Sequence, residues 1–344
     1  THREGASEGR YDHVRSNLEK FSHRFQGRFD DQGRFVPVID PGDVPETREG
    51  RSVLRGVWEG TQFVRHSLSI VNASITSELL RDERIELRLI PYEAPTFGPE
   101  ENPVTYGPIA RGLRHKLSGT PDFHVRHKWP PDLAAPPAGH WIVVQPWEFG
   151  RIPTAWIEPI QNRVDEVWVP SFYAKQCYVD SGIDAARVQV VPNGVDCDRF
   201  RPDARPLALE TDKTFRFLFV GGTIYRKGID ILLKAYRQAF TADDDVCLVV
   251  KGAGDDTFYK SQASGDLIRE IQRDVEAPEI LYLTEELSDE DIAGLYTACN
   301  CLVHPYRGEG FGLPVAEAMA CNLPVIVTRG GATDDFCVEE TAYF

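Results

Sequence analysis

The chain has 344 residues, enough for two domains at roughly 150 residues each. Its 38 Lys and Arg stand against 53 Asp and Glu, and the net charge of −15 excludes a protein that wraps a nucleic-acid backbone. At 42% apolar and 26% charged it is globular rather than disordered, and no apolar run of about 18 residues is present to cross a bilayer. Residues 1–50 open on Thr1, not Met, and are charged and weakly hydrophobic. They are expected to be an arm or linker from a larger parent, with a helix near Tyr11–Phe25 and breaks at Pro37, Pro41, Gly42 and Pro45. They hold no apolar leader segment, so no secretory signal is expected.

Residues 51–205 are expected to form a first α/β domain. Short apolar runs predict strands at Val53–Val57, Glu86–Ile90, His140–Gln145, Glu166–Val169 and Val188–Val191. A helix is predicted between Val64 and Leu80, with Val64, Leu68, Val71, Ile75 and Leu79 on its apolar face. Residues 206–344 repeat the theme more regularly, with strands at Phe215–Val220, Val246–Lys251, Ile280–Leu283, Cys301–His304 and Pro324–Thr328. Between the first two, Ile229, Leu232, Leu233, Tyr236 and Phe240 mark one helix face. Further helices are expected after Gly265, from the N-cap Ser288, and from Pro314, whose missing N–H suits the first helical position. Doubly apolar strands alternating with helices mean a parallel sheet covered on both faces. Two such halves, joined near Asn193–Pro206, imply a ligand cleft between domains. After Pro324–Thr328 no closing element is expected before Phe344.

Seven cysteines, an odd number, lack the C-x-x-C spacing of zinc and redox motifs. They read as buried, reduced thiols of a cytoplasmic protein.

Three motifs carry the chemistry. In "FVGGTIYRKGID", residues 219–230, a strand ends, Gly221 and Gly222 are read as a tight turn, and a helix starts near Gly228. Glycines let backbone approach a ligand, a helix N-terminus favours anions, and Arg226 and Lys227 add positive charge, a combination suited to a diphosphate. A plain strand–helix turn with two solvated cations explains this motif equally well. In "HPYRGEGFGLPVAEAMA", residues 304–320, a loop with Gly308, Gly310 and Gly312 carries Glu309, and Glu317 follows eight positions later. A carboxylate can accept two hydrogen bonds from a vicinal diol, and the N–H groups of Gly310, Phe311 and Gly312 can grip a polar ligand. A Gly-rich turn with a dipole-compensating acid does not account for both acids, three glycines and the proline together. The third motif, "VVPNGVDCDRF" at residues 190–200, is a turn between the halves.

With these three in order, the sequence resembles the retaining GT-B glycosyltransferases of family 4, strongest after Asp165. The resemblance implies two Rossmann-like domains facing a cleft, the second one incomplete because family chains continue with further helices. It implies transfer of a sugar from a nucleoside-diphosphate sugar to a glycan, lipid or protein acceptor, with retention and without a cofactor. No metal is expected, on the reading that the chain has no obvious Asp-x-Asp and that its singled-out acids are better used on hydroxyls than beside phosphates. Residue by residue, Lys227 matches the lysine that neutralises the diphosphate, and Glu309 the acid beside the transferred sugar. Gly310, Phe311, Gly312 and Leu313 match the segment that holds sugar hydroxyls, Glu317 the ribose-binding acid, and Gly60 a glycine loop near the phosphates. Gly221 and Gly222 line the donor. The family's arginine after the turn glycine is replaced here by Gly222, and Arg226 stands in for it.

Where the family places His-Asp facing the sugar, "VVQPWEFGRIP" has Trp147 and Glu148. These two, with His124 and His127 in "PDFHVRHKWPPD", are the acceptor-side candidates. Arg111, Arg114, His115 and Lys116 form one basic cluster, and Arg126, Lys128 and Trp129 another, either solvated or suited to peripheral contact at the inner membrane face. A dehydrogenase is disfavoured because no G-x-G-x-x-G follows Phe215–Val220. The alternative that stays open is a nucleotide-sugar-binding module without catalysis.

Overall fold

The computed structural model describes Gly27–Phe29, Phe35–Pro37 and residues 53–253 and 264–344. The helix expected near Tyr11–Phe25 lies outside these residues. The two short pieces are strands β1 (Gly27–Phe29) and β2 (Phe35–Pro37), an antiparallel pair with Arg28 opposite Val36. The rest of the described chain falls into two compact units that divide between Asn193 and Gly194.

The first unit contains β3 (Leu54–Gly60), α1 (Ser67–Leu79), β4 (Ile85–Ile90), α2 (Pro103–Gly112), β5 (Phe123–His127), β6 (His140–Val144), α3 (Thr154–Arg163), β7 (Glu166–Val169), α4 (Phe172–Asp180) and β8 (Val188–Val190). Its six strands form one parallel sheet in the order β4-β3-β5-β6-β7-β8. Trp58, Leu87, Leu89, Val125 and Ile142 pack with Ala73 and Ile109 of α1 and α2. Trp141, Val143, Val167, Val169 and Val188 pack with Ile160, Ala174 and Tyr178 of α3 and α4.

Two expectations are corrected in this unit. The expected α1 stripe of Leu68, Val71, Ile75 and Leu79 is only half-buried; the buried positions are Ser69, Asn72, Ala73, Thr76 and Ser77. Small and polar residues let α1 press closely on the end of β3, where Asn72 Oδ1 accepts from Trp58 Nε1 at 2.8 Å and Asn72 Nδ2 donates to the Thr61 carbonyl at 2.9 Å. The second correction is β5, a strand not expected from the sequence, which lies between β3 and β6. Its sequence FHVRH carries polar side chains at buried positions, and Glu59 of β3 answers two of them, His124 and Arg126, together with Lys128 just beyond the strand. His124 Nε2 lies 3.2 Å and Arg126 Nε 2.7 Å from Glu59 Oε2, and Lys128 Nζ 3.2 Å from Glu59 Oε1. Arg126 and Lys128 are therefore buried, and that half of the basic patch expected at the surface is an internal ion-pair network. Arg111, Arg114, His115 and Lys116 are exposed.

The second unit contains β9 (Phe215–Gly222), α5 (Ile229–Ala239), β10 (Val246–Ala253), α6 (Gly265–Gln272), β11 (Glu279–Leu283), α7 (Asp289–Thr297), β12 (Cys301–His304), α8 (Leu313–Ala320) and β13 (Val325–Val327). All five strands are parallel, in the order β11-β10-β9-β12-β13. One face packs Phe219, Leu248, Val250 and Ile280 on α5 and α6; the other packs Leu218, Val249, Leu302 and Val325 on α7 and α8. The α5 periodicity holds: Ile229, Leu232, Leu233 and Tyr236 are buried, and each aliphatic side chain contributes roughly 1.5–3 kcal/mol by leaving water. Ser288 caps α7 by accepting from the Asp291 N–H at 3.1 Å.

Two details differ from expectation. Gly221 and Gly222 continue β9, opposite Gly252 and Ala253, so they end a strand and the turn comes later, at Tyr225–Lys227. The last residues also pack. The Tyr343 N–H donates to the Val325 carbonyl at 2.9 Å, the Val327 N–H donates to the Tyr343 carbonyl at 2.8 Å, and Ala342 is buried. Six cysteines are buried thiols and Cys197 is exposed.

Candidate functional site

The second unit gathers most of the expected site residues at the carboxyl ends of β9 and β12, where parallel α/β sheets present their ligands. The turn Tyr225–Lys227 leads into Gly228, which caps α5 with φ +72. A side chain at Gly228 would put Cβ 1.9 Å from the Pro305 carbonyl oxygen, so glycine is what allows this turn to lie on the loop after β12. The contact is clamped by Arg307. Its backbone N–H donates to the Arg226 carbonyl at 2.8 Å, its guanidinium grips Asp230 at 2.7 and 2.8 Å, and it lies 3.6 Å over the Tyr225 ring.

This clamp brings Lys227 and Arg226 to Glu309. Lys227 Nζ donates to Glu309 Oε1, and Arg226 Nη1 lies 3.5 Å from Glu309 Oε2 while donating to the Gly308 carbonyl at 2.9 Å. The Lys227 stem runs past Gly221, its Cε 3.7 Å from where a Cβ would stand. Glu309 itself is only 6% exposed. Burial pushes its carboxyl up, but Lys227, the His304 hydrogen bond and Arg226 outweigh that and hold it well below the usual carboxylate range. Two cations at one buried carboxylate leave positive charge able to receive an anion.

Gly308, Gly310, Phe311 and Gly312 are buried along the loop. Gly312 has φ +94 and caps α8; Leu313 and Pro314 open the helix. Phe311 lies 5.1 Å from the Phe336 ring. Glu317, half-buried on α8, accepts from Tyr296 Oη at 2.6 Å. Burial pushes its carboxyl up, against the Tyr296 hydrogen bond and the charges of Arg199 and Lys227. Tyr296 and His304 are the residues that sequence reading missed. Each is a fully buried ring donating to one of the two acids. The available signal was position: His304 ends a strand immediately before Pro305, and polar rings at otherwise apolar strand and helix positions need partners.

Gly60 and the four acceptor-side candidates belong to the first unit. Gly60 ends β3, and a Cβ there would stand 2.7 Å from both Asn72 Nδ2 and the His127 carbonyl, so packing alone requires glycine. His124 and His127 lie on β5 and are buried. His124 faces Glu59, and burial lowers its pKa despite that partner. His127 Nδ1 lies 2.8 Å from Asn72 Oδ1, and burial lowers its pKa to about 4, so it is neutral. Trp147 is half-buried, edge-on to Trp156 at 5.1 Å and to Phe149 at 6.0 Å. Glu148 is half-buried, and its carbonyl accepts from Tyr173 Oη at 3.5 Å.

Asp196, Cys197 and Asp198 have the Asp-x-Asp spacing of some metal sites. Asp196 Oδ1 instead accepts from the Asp198 and Arg199 N–H groups at 3.1 and 3.2 Å, closing the turn. Among the described residues no helix is long and apolar enough to cross a membrane.

Residues 201–342 match the family Glycosyl transferases group 1, and residues 102–199 match Glycosyltransferase Family 4. A D-inositol 3-phosphate glycosyltransferase of Catenulispora acidiphila is 34% identical over 157 residues, 44% of this chain and 37% of that protein. A GDP-mannose-dependent alpha-mannosyltransferase of Corynebacterium glutamicum is 26% identical over 189 residues, 54% of this chain and 41% of that protein. The chain thus spans about two fifths of the length of these relatives. Among solved structures, Anabaena HepE in complex with UDP and glucose is similar with a TM-score of 0.55 at 14% identity, covering 84% of this chain and 85% of that one. The sucrose-phosphate synthase of Thermosynechococcus elongatus is similar with a TM-score of 0.59 at 17% identity, over 84% and 85% of the two chains. At these identities the likeness shows the fold, two parallel-sheet α/β domains of the GT-B kind.

Proposed function

We propose, for a chain whose residues 102–199 belong to glycosyltransferase family 4 and whose residues 201–342 belong to the glycosyl transferases of group 1, that the protein moves a sugar from a nucleoside-diphosphate sugar to a glycan, lipid or protein acceptor with retention of configuration. The observation that carries this reading is the meeting of Lys227 and Arg226 with the buried Glu309, on a loop that also leads to Glu317. Negative charge grows on the leaving diphosphate in the transition state. Preorganised cations beside a helix N-terminus lower that barrier, and here Lys227, Arg226 and the start of α5 take that part. This stabilisation comes from fixed protein charges, and we assign the reaction no metal requirement and no cofactor. Glu309 lies beside the transferred sugar in a positional and electrostatic role, not as a covalent nucleophile. Glu317 accepts from the ribose diol, and Gly310, Phe311 and Gly312 offer backbone to the sugar. The complexes of HepE with UDP and with UDP-glucose support a nucleoside diphosphate as the first probe. Buried, unpaired thiols fit a reducing compartment, and we assign the protein to the cytoplasm.

Thermal shift with UDP, GDP, ADP and TDP, each with and without magnesium and with NAD as control, tests the site. A ligand that binds only the folded chain raises its melting temperature. One nucleotide is expected to do so without magnesium, and Lys227→Ala and Glu317→Ala are each expected to abolish the shift. A shift with NAD alone overturns the reading. Turnover with an acceptor then separates the transferase from a donor-binding module.

A further inference from the structure

His304 ends β12 with 0% of its surface exposed. Its ring stacks on Phe219, centroids 5.9 Å apart and planes at 29°, and lies 5.8 Å from the Tyr306 ring. Nε2 is 2.9 Å from Glu309 Oε1. An ionised carboxylate only accepts, so Nε2 carries the hydrogen. Nδ1 has no hydrogen-bond partner. A second N–H there would be a buried donor without an acceptor, so the geometry selects the neutral ring with its hydrogen on Nε2. Burial, with Lys227 and Arg226 nearby, acts in the same direction.

Glu309 Oε1 is therefore shared. It takes one hydrogen bond from Lys227 and one from His304. The two donors differ in kind. Lys227 is a flexible chain, 13% exposed, whereas His304 is a rigid ring locked between packed side chains. A diphosphate bound at Lys227 competes with Glu309 for the same ammonium, and when it wins, the hold from His304 persists. We propose that His304 is a positioning residue, whose Nε2–H keeps the Glu309 carboxylate in place against the sugar while Lys227 is engaged by the diphosphate. This rests on the glycosyltransferase reading of the site.

The role predicts a selective defect. His304 acts on the sugar through Glu309 and not on the diphosphate. Calorimetric titration is made with whichever of UDP, GDP, ADP and TDP the wild type binds, and with the glucose and mannose esters of that nucleotide. The quantity read is the gain in affinity of the tighter ester over the bare diphosphate. His304→Leu is expected to cut that gain about tenfold, the cost of losing a hydrogen bond to a charged group, while changing affinity for the bare diphosphate less than twofold. Glu309→Gln is expected to cut the same gain. His304→Gln, which retains an N–H near the Nε2 position, is expected to restore it. Equal weakening of diphosphate and ester in His304→Leu means a structural role and overturns the proposal, as does an unchanged gain. If the leucine variant does not fold, loss of the gain in His304→Gln overturns it. A wild type that binds an unadorned diphosphate but neither ester more tightly removes the sugar contact and overturns this inference alone. A wild type that binds none of the four nucleotides overturns the reading beneath it as well.

Discussion

Glu309 places a negative charge where water barely reaches, and the residues around it are the answer to that cost. Two cations and a ring N–H converge on one carboxyl group, and removing its negative charge leaves Lys227 and Arg226 without the anion that pairs them. Glu309→Gln is expected to destabilise the folded chain by roughly 1–3 kcal/mol at pH 7. The pH dependence has a definite sign. The folded-state value of Glu309 lies below its ordinary 4.5, so the unfolded chain binds the proton more readily. The stabilising contribution is full above about pH 4.5 and fades as pH falls toward the folded value. Glu317 is shifted the other way by burial, but it is common to both proteins and cancels in the difference. Melting temperatures of wild type and Glu309→Gln, measured from pH 7 down to pH 3, are expected to converge. A gap of constant size across that range would falsify the linkage. At this scale the sequence was half legible. The spacing of Glu309 and Glu317 around three glycines pointed to both acids. Their ring partners did not stand out, because Tyr296 is 21 residues from Glu317 and sits among Ala293, Leu295 and other core residues. Nothing in linear order distinguishes such a tyrosine from packing.

Among the elements, the turn before α5 shows how backbone shape assembles charges. Gly228 holds a left-handed conformation that costs an L-residue roughly 1–2 kcal/mol, and it also touches the Pro305 backbone, which cannot rotate away as a side chain could. Gly228→Ala is expected to lose at least 2 kcal/mol by denaturant unfolding and to weaken diphosphate binding, because Lys227 immediately precedes it. Wild-type stability in this variant would show that the turn relaxes freely and that the clamp through Arg307 is unimportant. α5 was readable because its burial is carried by Ile229, Leu232, Leu233 and Tyr236 at helical spacing. α1 was misread for the opposite reason: its inner face is chosen for close approach and hydrogen bonding, with Asn72 at its centre, while the larger apolar residues lie to the side. β5 escaped notice because a central strand was expected to be apolar. Its His124 and Arg126 share Glu59 on the neighbouring strand, and Arg126 also donates to the Asp132 and Ala134 carbonyls; the Glu59 pairing appears only once the sheet order is known.

For the whole molecule, strand–helix alternation announced two parallel-sheet domains, since each short apolar run must be buried on both faces and only flanking helices can do that. The sheets carry separate cores. Trp58 and Val167 anchor clusters in residues 42–193, and Leu218 and Phe219 anchor clusters in residues 194–344. Proteins built this way depart from two-state unfolding, so calorimetry is expected to resolve two transitions. Two substitutions assign them. Asn72→Ala strands the Trp58 N–H and the Thr61 carbonyl in a fully buried setting, and it is expected to cost the first unit about 3 kcal/mol. Gly228→Ala lowers only the other transition. A nucleoside diphosphate at a hundred times its dissociation constant adds about 2.7 kcal/mol to whatever it binds. With Lys227 and Glu317 both in residues 194–344, that gain is expected in the transition that Gly228→Ala lowers. One transition lowered alike by both substitutions would show instead that the units unfold as one body, and the ligand would then raise the stability of the whole chain.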